Sequence, residues 1–207
     1  MTVTYIFGRF ETSYEFDTLR LLSLGANTST GKQNSISERS IEMFNNAGGS
    51  EYSYNTDGDG NYTYGSSGIN LDYQRSTRKN GEYLTFSYRL SNSPNDNGSY
   101  TYAKDITGTM PLYIRLNQWY DNSARTTEHT GQIDYTNPIT PKHTIETGLK
   151  YILRQNISNV KHYEMDGGGY WVELPTSVNS ANRDFKHISN IYAAYFGYAL
   201  RWGVKNV

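Results

Sequence analysis

The run Asp57-Gly58-Asp59-Gly60-Asn61 sets oxygen donors at alternate positions, as the opening of a calcium loop does. The continuation fails. Tyr62 stands where such a loop needs a glycine for its turn, and Gly68 stands where a bidentate glutamate would close the shell, so a Gly/Asp turn at a loop tip is expected instead. His129, His143, His162 and His187 show neither an HExxH nor another short metal spacing and are expected as ordinary strand and loop residues. No serine lies in G-x-S-x-G. Gly167-Gly168-Gly169 lacks the Lys-Ser/Thr of a phosphate loop and is expected to be flexible. No catalytic residue, metal or cofactor is therefore expected, and the chain does not read as an enzyme. What remains is recognition: Tyr100, Tyr102, Trp119, Tyr120, Tyr163, Tyr170 and Trp171 offer rings that can stack on a sugar or a flat chelate. The competing expectation is that these rings pack on one another.

These residues sit in a chain of 207 residues with 20 Tyr against 7 Phe and 3 Trp. A formal net charge of -1 removes the bulk electrostatic case for nucleic acid, so none is expected as a partner. The absence of Cys excludes a disulfide framework and a thiolate metal site, and leaves the compartment open. A mean hydropathy of -0.73 and the lack of any apolar run of about 18 residues exclude a membrane-spanning helix. They do not exclude a barrel, whose strands expose apolar residues only at every second position. Arg9, Glu11 and Glu15 interrupt the start where a secretory signal needs an apolar core, so no signal peptide is expected.

The elements that must position these residues are strands. Ile69, Leu71 and Tyr73 alternate with Gly68, Asn70, Asp72 and Gln74, and Asn80-Gly81 then predicts a type I′ hairpin turn at 78–81. The return strand, Glu82 to Asn92, places Leu84, Phe86, Tyr88 and Leu90 opposite Arg89. A second hairpin is expected over Thr127 to Arg154, reversing through 138–142, because two prolines in five residues should end a ladder. A last strand is predicted over Phe185 to Trp202, an earlier one across Leu19 to about Met43, and the end of another within residues 2–14.

Short turns near 78–81 and 138–142 alternate with long Asn-, Ser-, Gly- and Tyr-rich segments near 45–64, 93–126 and 155–184, which are expected as loops. This alternation is that of an outer-membrane barrel, with short periplasmic turns and long extracellular loops; a soluble sandwich has no need of it. The fold class expected is all-β: an antiparallel meander of about six or seven long strands forming part of such a barrel, in the outer membrane of a Gram-negative bacterium. Its apolar register would meet lipid. Asp72, Arg89, Asp134, Glu146 and Lys150 would face the lumen, while Tyr73, Tyr88, Tyr151, Tyr198 and Trp202 could form interfacial girdles.

LTFSYRLSNSPND at 84–96, EHTGQIDYTNPITPKHTIETGLKYI at 128–152, WVELP at 171–175 and FKHISNIYAAYFGYAL at 185–200 resemble the barrel region of TonB-dependent receptors, in particular their Bacteroidetes-type relatives. The resemblance implies one partial barrel domain over residues 1–207, with a plug and further strands supplied by a parent receptor. It also implies outer-membrane lipid as a partner and uptake of a small nutrient such as an iron chelate, glycan or peptide. No plug or TonB box is recognised, and no terminal aromatic residue follows Val204-Lys205-Asn206-Val207. Two other readings are a complete small barrel with a structural or adhesive role and a soluble carbohydrate-binding β-sandwich.

Overall fold

A computed structural model describes residues 1–111, 117–174 and 183–202. The described chain is all strand and turn: β1 (Thr2–Asp17), β2 (Arg20–Phe44), β3 (Ser50–Ser76), β4 (Tyr83–Gly108), β5 (Gln118–Thr140), β6 (His143–Met165), β7 (Trp171–Glu173) and β8 (Arg183–Leu200). They form a single antiparallel meander in which each strand from β1 to β6 pairs with the next, and β6 then pairs with β7 near one end and with β8 along most of its length. Against the six or seven long strands expected, the described residues form seven, with one short strand beside them. β1 and β8 each pair on one side among the described residues, so the sheet is not closed.

The meander places the connections 18–19, 77–82 and 141–142 at one end, here the turn end, and 45–49 and 166–170 at the other. Lys79 Nζ donates to Asn137 Oδ1 at 2.6 Å, which holds the two expected turns side by side. The 77–82 connection differs from a two-residue type I′ hairpin. Glu82 N donates to Lys79 O at 3.1 Å, and positive φ is confined to Gly81 at 80°, the pattern of a type II turn. The Glu82 carboxylate explains the longer connection: it accepts from Thr77 Oγ1 at 2.6 Å and from Tyr135 OH at 2.5 Å. Those bonds favour its charged form and hold it below the usual glutamate range. The second reversal is tighter than expected, since Pro138 still pairs with Thr144 and the chain turns at 141–142 after a register shift. Pro138 thus ends a regular ladder without ending the strand.

The largest departure lies in the long polar segments. Residues 50–64, 93–108 and 118–126 and the span from 155 to 165 belong to β3, β4, β5 and β6, so the described part of the loops expected at 45–64, 93–126 and 155–184 is mainly continuous strand, while 112–116 and 175–182 lie outside the described residues. Gly/Asn/Ser composition reads as loop because such residues have low strand propensity. Here cross-strand pairing overrides it. Asp57-Gly58-Asp59-Gly60-Asn61 lies inside β3 instead of at a loop tip, with Gly58 and Gly60 against the hydroxyls of Ser37 and Ser35 on β2. Gly167-Gly168-Gly169 forms an ordered turn, in which Asp166 Oδ1 accepts from Gly168 N at 2.9 Å and Tyr170 N at 2.8 Å. One bulge interrupts the extension: Ser53 faces Thr107 while Asn55 faces Lys104, and the extra residue includes Asp105 at φ 53°.

A single sheet has no interior. Tyr52, at 5% exposure, is the one large apolar residue buried among those described, and the accessible surface is 14894 Å². A compact soluble monomer of this mass exposes roughly 9,800 Å². The sandwich reading would need a second sheet packed on the first, and the described residues form one. Gly81→Val should destabilise the fold by about 1–2 kcal/mol, because a side chain is strained at positive φ. Urea unfolding of the protein in vesicles, compared with Lys79→Ala in the same turn, measures it.

Candidate functional site: the two faces of the barrel wall

The register is unbroken across the turn-end half of the sheet, so alternate residues line up in rows. Four successive rows on one face are Tyr14-Leu22-Tyr73-Phe86-Ile133-Leu149-Ala194, Thr12-Leu24-Leu71-Tyr88-Gly131-Tyr151-Tyr192, Phe10-Ala26-Ile69-Leu90-His129-Leu153-Asn190 and Gly8-Thr28-Ser67-Asn92-Thr127-Gln155-Ile188. None contains Asp, Glu, Lys or Arg. Arg20 and Arg75 lie in the row below them, and Arg125 and Lys186 in the row above. On β5 this span runs from Tyr135 to Arg125, and ten residues at about 3.3 Å each, tilted by about 40°, rise about 25 Å. That height matches the apolar band of an outer-membrane barrel. The apolar register expected from the alternation is thus one continuous surface.

Of the Tyr residues expected as girdles, Tyr88 and Tyr151 lie in the second of the four rows, toward the middle of the band. Tyr88 OH and His129 Nδ1 are 2.8 Å apart, and Tyr151 OH donates to Asn190 Oδ1 at 2.7 Å, each hydroxyl satisfied by the next row toward the extended end. At the turn end Tyr198 OH bonds His143 Nδ1. Tyr73 shares the row of Phe86. Trp202 is 86% exposed.

The opposite face carries the charges. Asp72, Arg89, Asp134, Glu146 and Lys150 all take this register, as expected. Arg89 Nε donates to Asn70 Oδ1 at 2.9 Å, Gln132 Nε2 to Asp134 Oδ2 at 2.8 Å, and Tyr195 OH to Asp134 Oδ1 at 2.7 Å. Arg154, which the alternation also puts on this side with Glu146 and Lys150, pairs with Glu128 at 2.7 Å, a partner the sequence did not single out. Asn70, Asp72, Arg89, Glu128, Gln132 and Lys150 surround a polar recess of about 330 Å³. Gly148 allows one of these contacts. It lies between Asp134 and Tyr195 in the ladder, and a Cβ there would overlap both the Tyr195 ring and the Asp134 carboxylate.

The aromatic residues expected in loops lie mainly on strands: Tyr100 and Tyr102 on β4, Trp119 and Tyr120 on β5, Tyr163 on β6 and Trp171 on β7. Tyr100, Trp119 and Tyr163 share a row and stack at 5.3 and 4.1 Å, while Trp171 meets Tyr100, Tyr102 and Trp119 edge-on at 5.7–6.2 Å. Their row continues the apolar face above the charged edge. The rings occupy one another's faces and tie β7 to β4 and β5. Tyr120 takes the other face and meets His162 at 4.9 Å. Tyr170 sits in the 166–170 turn at 73% exposure. All four histidines are on strands; His187 stacks on Phe185. Asp57, offered by the calcium-like run, pairs with Lys104 at 2.7 Å and raises that lysine's pKa.

The faces make opposite predictions for the same substitution. Leu153→Arg, in one of the two central rows of the apolar face, should cost about 2–4 kcal/mol in a bilayer, as an arginine at the membrane midplane does. Gln132→Arg, on the polar face beside Asp134, should cost under about 0.5 kcal/mol. Denaturant titration of both variants in lipid vesicles measures the difference, and equal costs would refute the assignment of faces.

Comparison with curated proteins finds no match. A family model described as outer membrane protein beta-barrel family matches residues 75–206. The match covers more than half of the chain, from the end of β3 through β8, and it agrees with a charge-free face of bilayer height backed by a polar one. The chain belongs to the outer membrane β-barrel family and is a protein of the outer membrane.

Proposed function

We propose that the chain is one part of the wall of a larger transport barrel, of the TonB-dependent receptor type, that admits a small nutrient such as an iron chelate, a glycan or a peptide. The observation that carries the reading is the pair of free edges. β1 and β8 span the charge-free band with one ladder partner each among the described residues. In lipid every unsatisfied backbone group costs several kcal/mol, so these edges demand further strands. The polar face supports the same reading. It presents Arg89, Glu128, Lys150 and Arg154 as a water-compatible wall suited to a channel or to a plug domain filling it. The resemblance of the 84–96, 128–152 and 185–200 segments to receptor barrels supplies the receptor type.

In this reading the turn end faces the periplasm, and the strand extensions that end at 45–49 and 166–170 stand outside the cell, as the asymmetry of outer-membrane barrels requires. Ligand contact falls to Tyr170, which is open to solvent, and to Tyr120 on the lumen face. Tyr100, Tyr102, Trp119, Tyr163 and Trp171 would support them from the clasp.

Two experiments test the proposal. Residues 1–207 produced alone should fail to give a heat-modifiable monomer on detergent gels, and the same chain extended by its genomic neighbours should give one. A closed heat-modifiable monomer from the isolated chain would establish the complete small barrel in its place. Cells deleted for the gene should lose uptake of one labelled iron chelate, glycan or peptide. Loss of surface adhesion with uptake unchanged would favour the structural role.

A further inference from the structure

The face that carries the charges changes character along its height. The four rows from Glu15 to Arg9 on β1 each hold two or more charged residues, the uppermost being Arg9-Asn27-Gly68-Ser91-Glu128-Arg154. Above it the charges stop. The next row opens with Phe7, Ser29 and Ser66, and the two that follow run from β1 to β4 as Tyr5-Gly31-Tyr64-Asn95 and Val3-Gln33-Tyr62-Asn97. A fourth begins on β2 as Ser35-Gly60-Ser99-Tyr120. From β1 to β6 none of these rows contains Asp, Glu, Lys or Arg, and the first charge met is Arg183, where the Val3 row reaches β8. The neutral belt starts level with Thr126, beside the Arg125 row that borders the apolar band on the other face.

Apolar groups stand in this belt where a polar wall has no use for them. Val3, Tyr5 and Phe7 are 53–65% exposed in the charged-face register of β1. A further strand would pair along the edge of β1 and leave this face open. Beside them Gly31 has no side chain, and a Cβ there would overlap the Tyr64 ring, so that ring lies over the glycine toward β1. The rings of Tyr62 and Tyr64 are 5.2 Å apart, and Asn95 Nδ2 donates to Tyr62 OH at 2.9 Å, which holds the platform in place. Next to the rings runs a chain of hydrogen bonds. Ser158 Oγ donates to Asn122 Oδ1 at 3.0 Å and Asn122 Nδ2 to Asn97 Oδ1 at 2.8 Å, so the chain ends on the neighbour of Tyr62 in its row. At the top, Gly58 and Gly60 floor a recess of about 250 Å³ between Ser35, Ser37, Ser99 and Thr101, with Arg39 at its outer end.

Rings set beside neutral donors and acceptors select a class of ligand. A neutral sugar has C–H faces that pack on aromatic rings and a rim of hydroxyls, each costly to bury without a partner. An anionic iron chelate calls for Lys or Arg, and the four rows offer none from β1 to β6. A peptide brings charged ends that would meet no opposite charge there. Six residues at about 3.3 Å, tilted by about 40°, make the belt about 15 Å tall, and six strands about 4.8 Å apart make it about 24 Å wide. Such an area takes several linked rings.

We infer that the belt is the binding surface for a neutral oligosaccharide: Tyr5, Tyr62 and Tyr64 stack on its rings, Gln33, Asn95 and Asn97 bond its hydroxyls, and the recess over Gly58 and Gly60 takes a further sugar. The inference rests on the proposed transport barrel, in which this face lines the mouth of the lumen, and it selects the glycan among the nutrient classes named for it. It adds to Tyr170 and Tyr120 a platform on the inner side of β1, β2, β3 and β4.

The experiment uses the full-length parent protein purified in mild detergent. The probes are an array of neutral hexose and pentose oligosaccharides, the same array carrying uronic acids, a ferric hydroxamate, a ferric catecholate and a tripeptide mixture. A neutral oligosaccharide should bind, and the charged probes should bind more weakly. Tyr5→Ala and Tyr64→Ala should each weaken that binding about tenfold, the upper end of what ring stacking supplies. Tyr5→Phe, which keeps the ring, should retain it, and Ile36→Ala, at the same height on the other face, should leave it unchanged. Heat-modifiable migration confirms that each variant is folded. Tyr5→Cys on whole cells should react with an impermeant maleimide and be protected by the bound saccharide. Absence of that reaction would mean that another part of the protein covers the face, and would overturn the site, as would binding of no neutral probe or equal affinity of wild type and the two Ala variants. Uptake by cells deleted for the gene separates the two ideas. Loss of iron-chelate or peptide uptake with saccharide uptake intact refutes the saccharide alone, and saccharide binding with every uptake unchanged refutes transport alone.

Discussion

The structure depends on one constraint: in lipid, each backbone N–H and C=O must find a partner in a neighbouring strand. Long ladders in constant register follow from it, because every slip within the bilayer would strand polar groups where no water can reach them. The only register shifts among the described strands lie outside the charge-free band, near Asp17, Phe44, Ser53 and Pro138. Once the register is constant, a period of two along each strand becomes a set of rows across the sheet. The rows make the faces.

Few side chains are buried, and cohesion comes from the ladders together with short-range pairs on each face. On the charged face these are charge and amide contacts such as Glu128 with Arg154 and Asp134 with Tyr195. On the lipid side they are Tyr hydroxyls bonded to His129, His143 and Asn190. Each hydroxyl reaches a polar partner on its own face, so the ring lies there without an unmade hydrogen bond. Outside the membrane the stack of Tyr100, Trp119 and Tyr163 takes over the same task of tying strands together.

Glycine has a particular use in this wall. Gly148 leaves room for Tyr195 to cross the sheet to Asp134, whereas Gly131 leaves a hollow that nothing in the chain fills. The first supports the charged face; the second opens the apolar face. Both sit in positions of the alternating pattern where a larger residue would be ordinary, so close approach and concavity, and no turn, account for them.

Much of the wall was legible in the residues themselves. Phe86, Tyr88 and Leu90 against Arg89, or Leu149 and Tyr151 against Glu146 and Lys150, announce faces because the transfer of charge into lipid is costly. The outer-membrane setting followed from that alternation together with the short turns. The extent of the strands was not legible. Asn, Ser, Gly and Asp between 50 and 64 or 93 and 108 have low strand propensity, and their extended state comes from partners that are distant in sequence. The clasp of Tyr100, Trp119, Tyr163 and Trp171 was hidden for the same reason, as was the alignment of Arg125 with Lys186. Period and sign of charge are local properties, readable along a chain; register is a relation between strands, and only the assembled sheet decides which residues become neighbours.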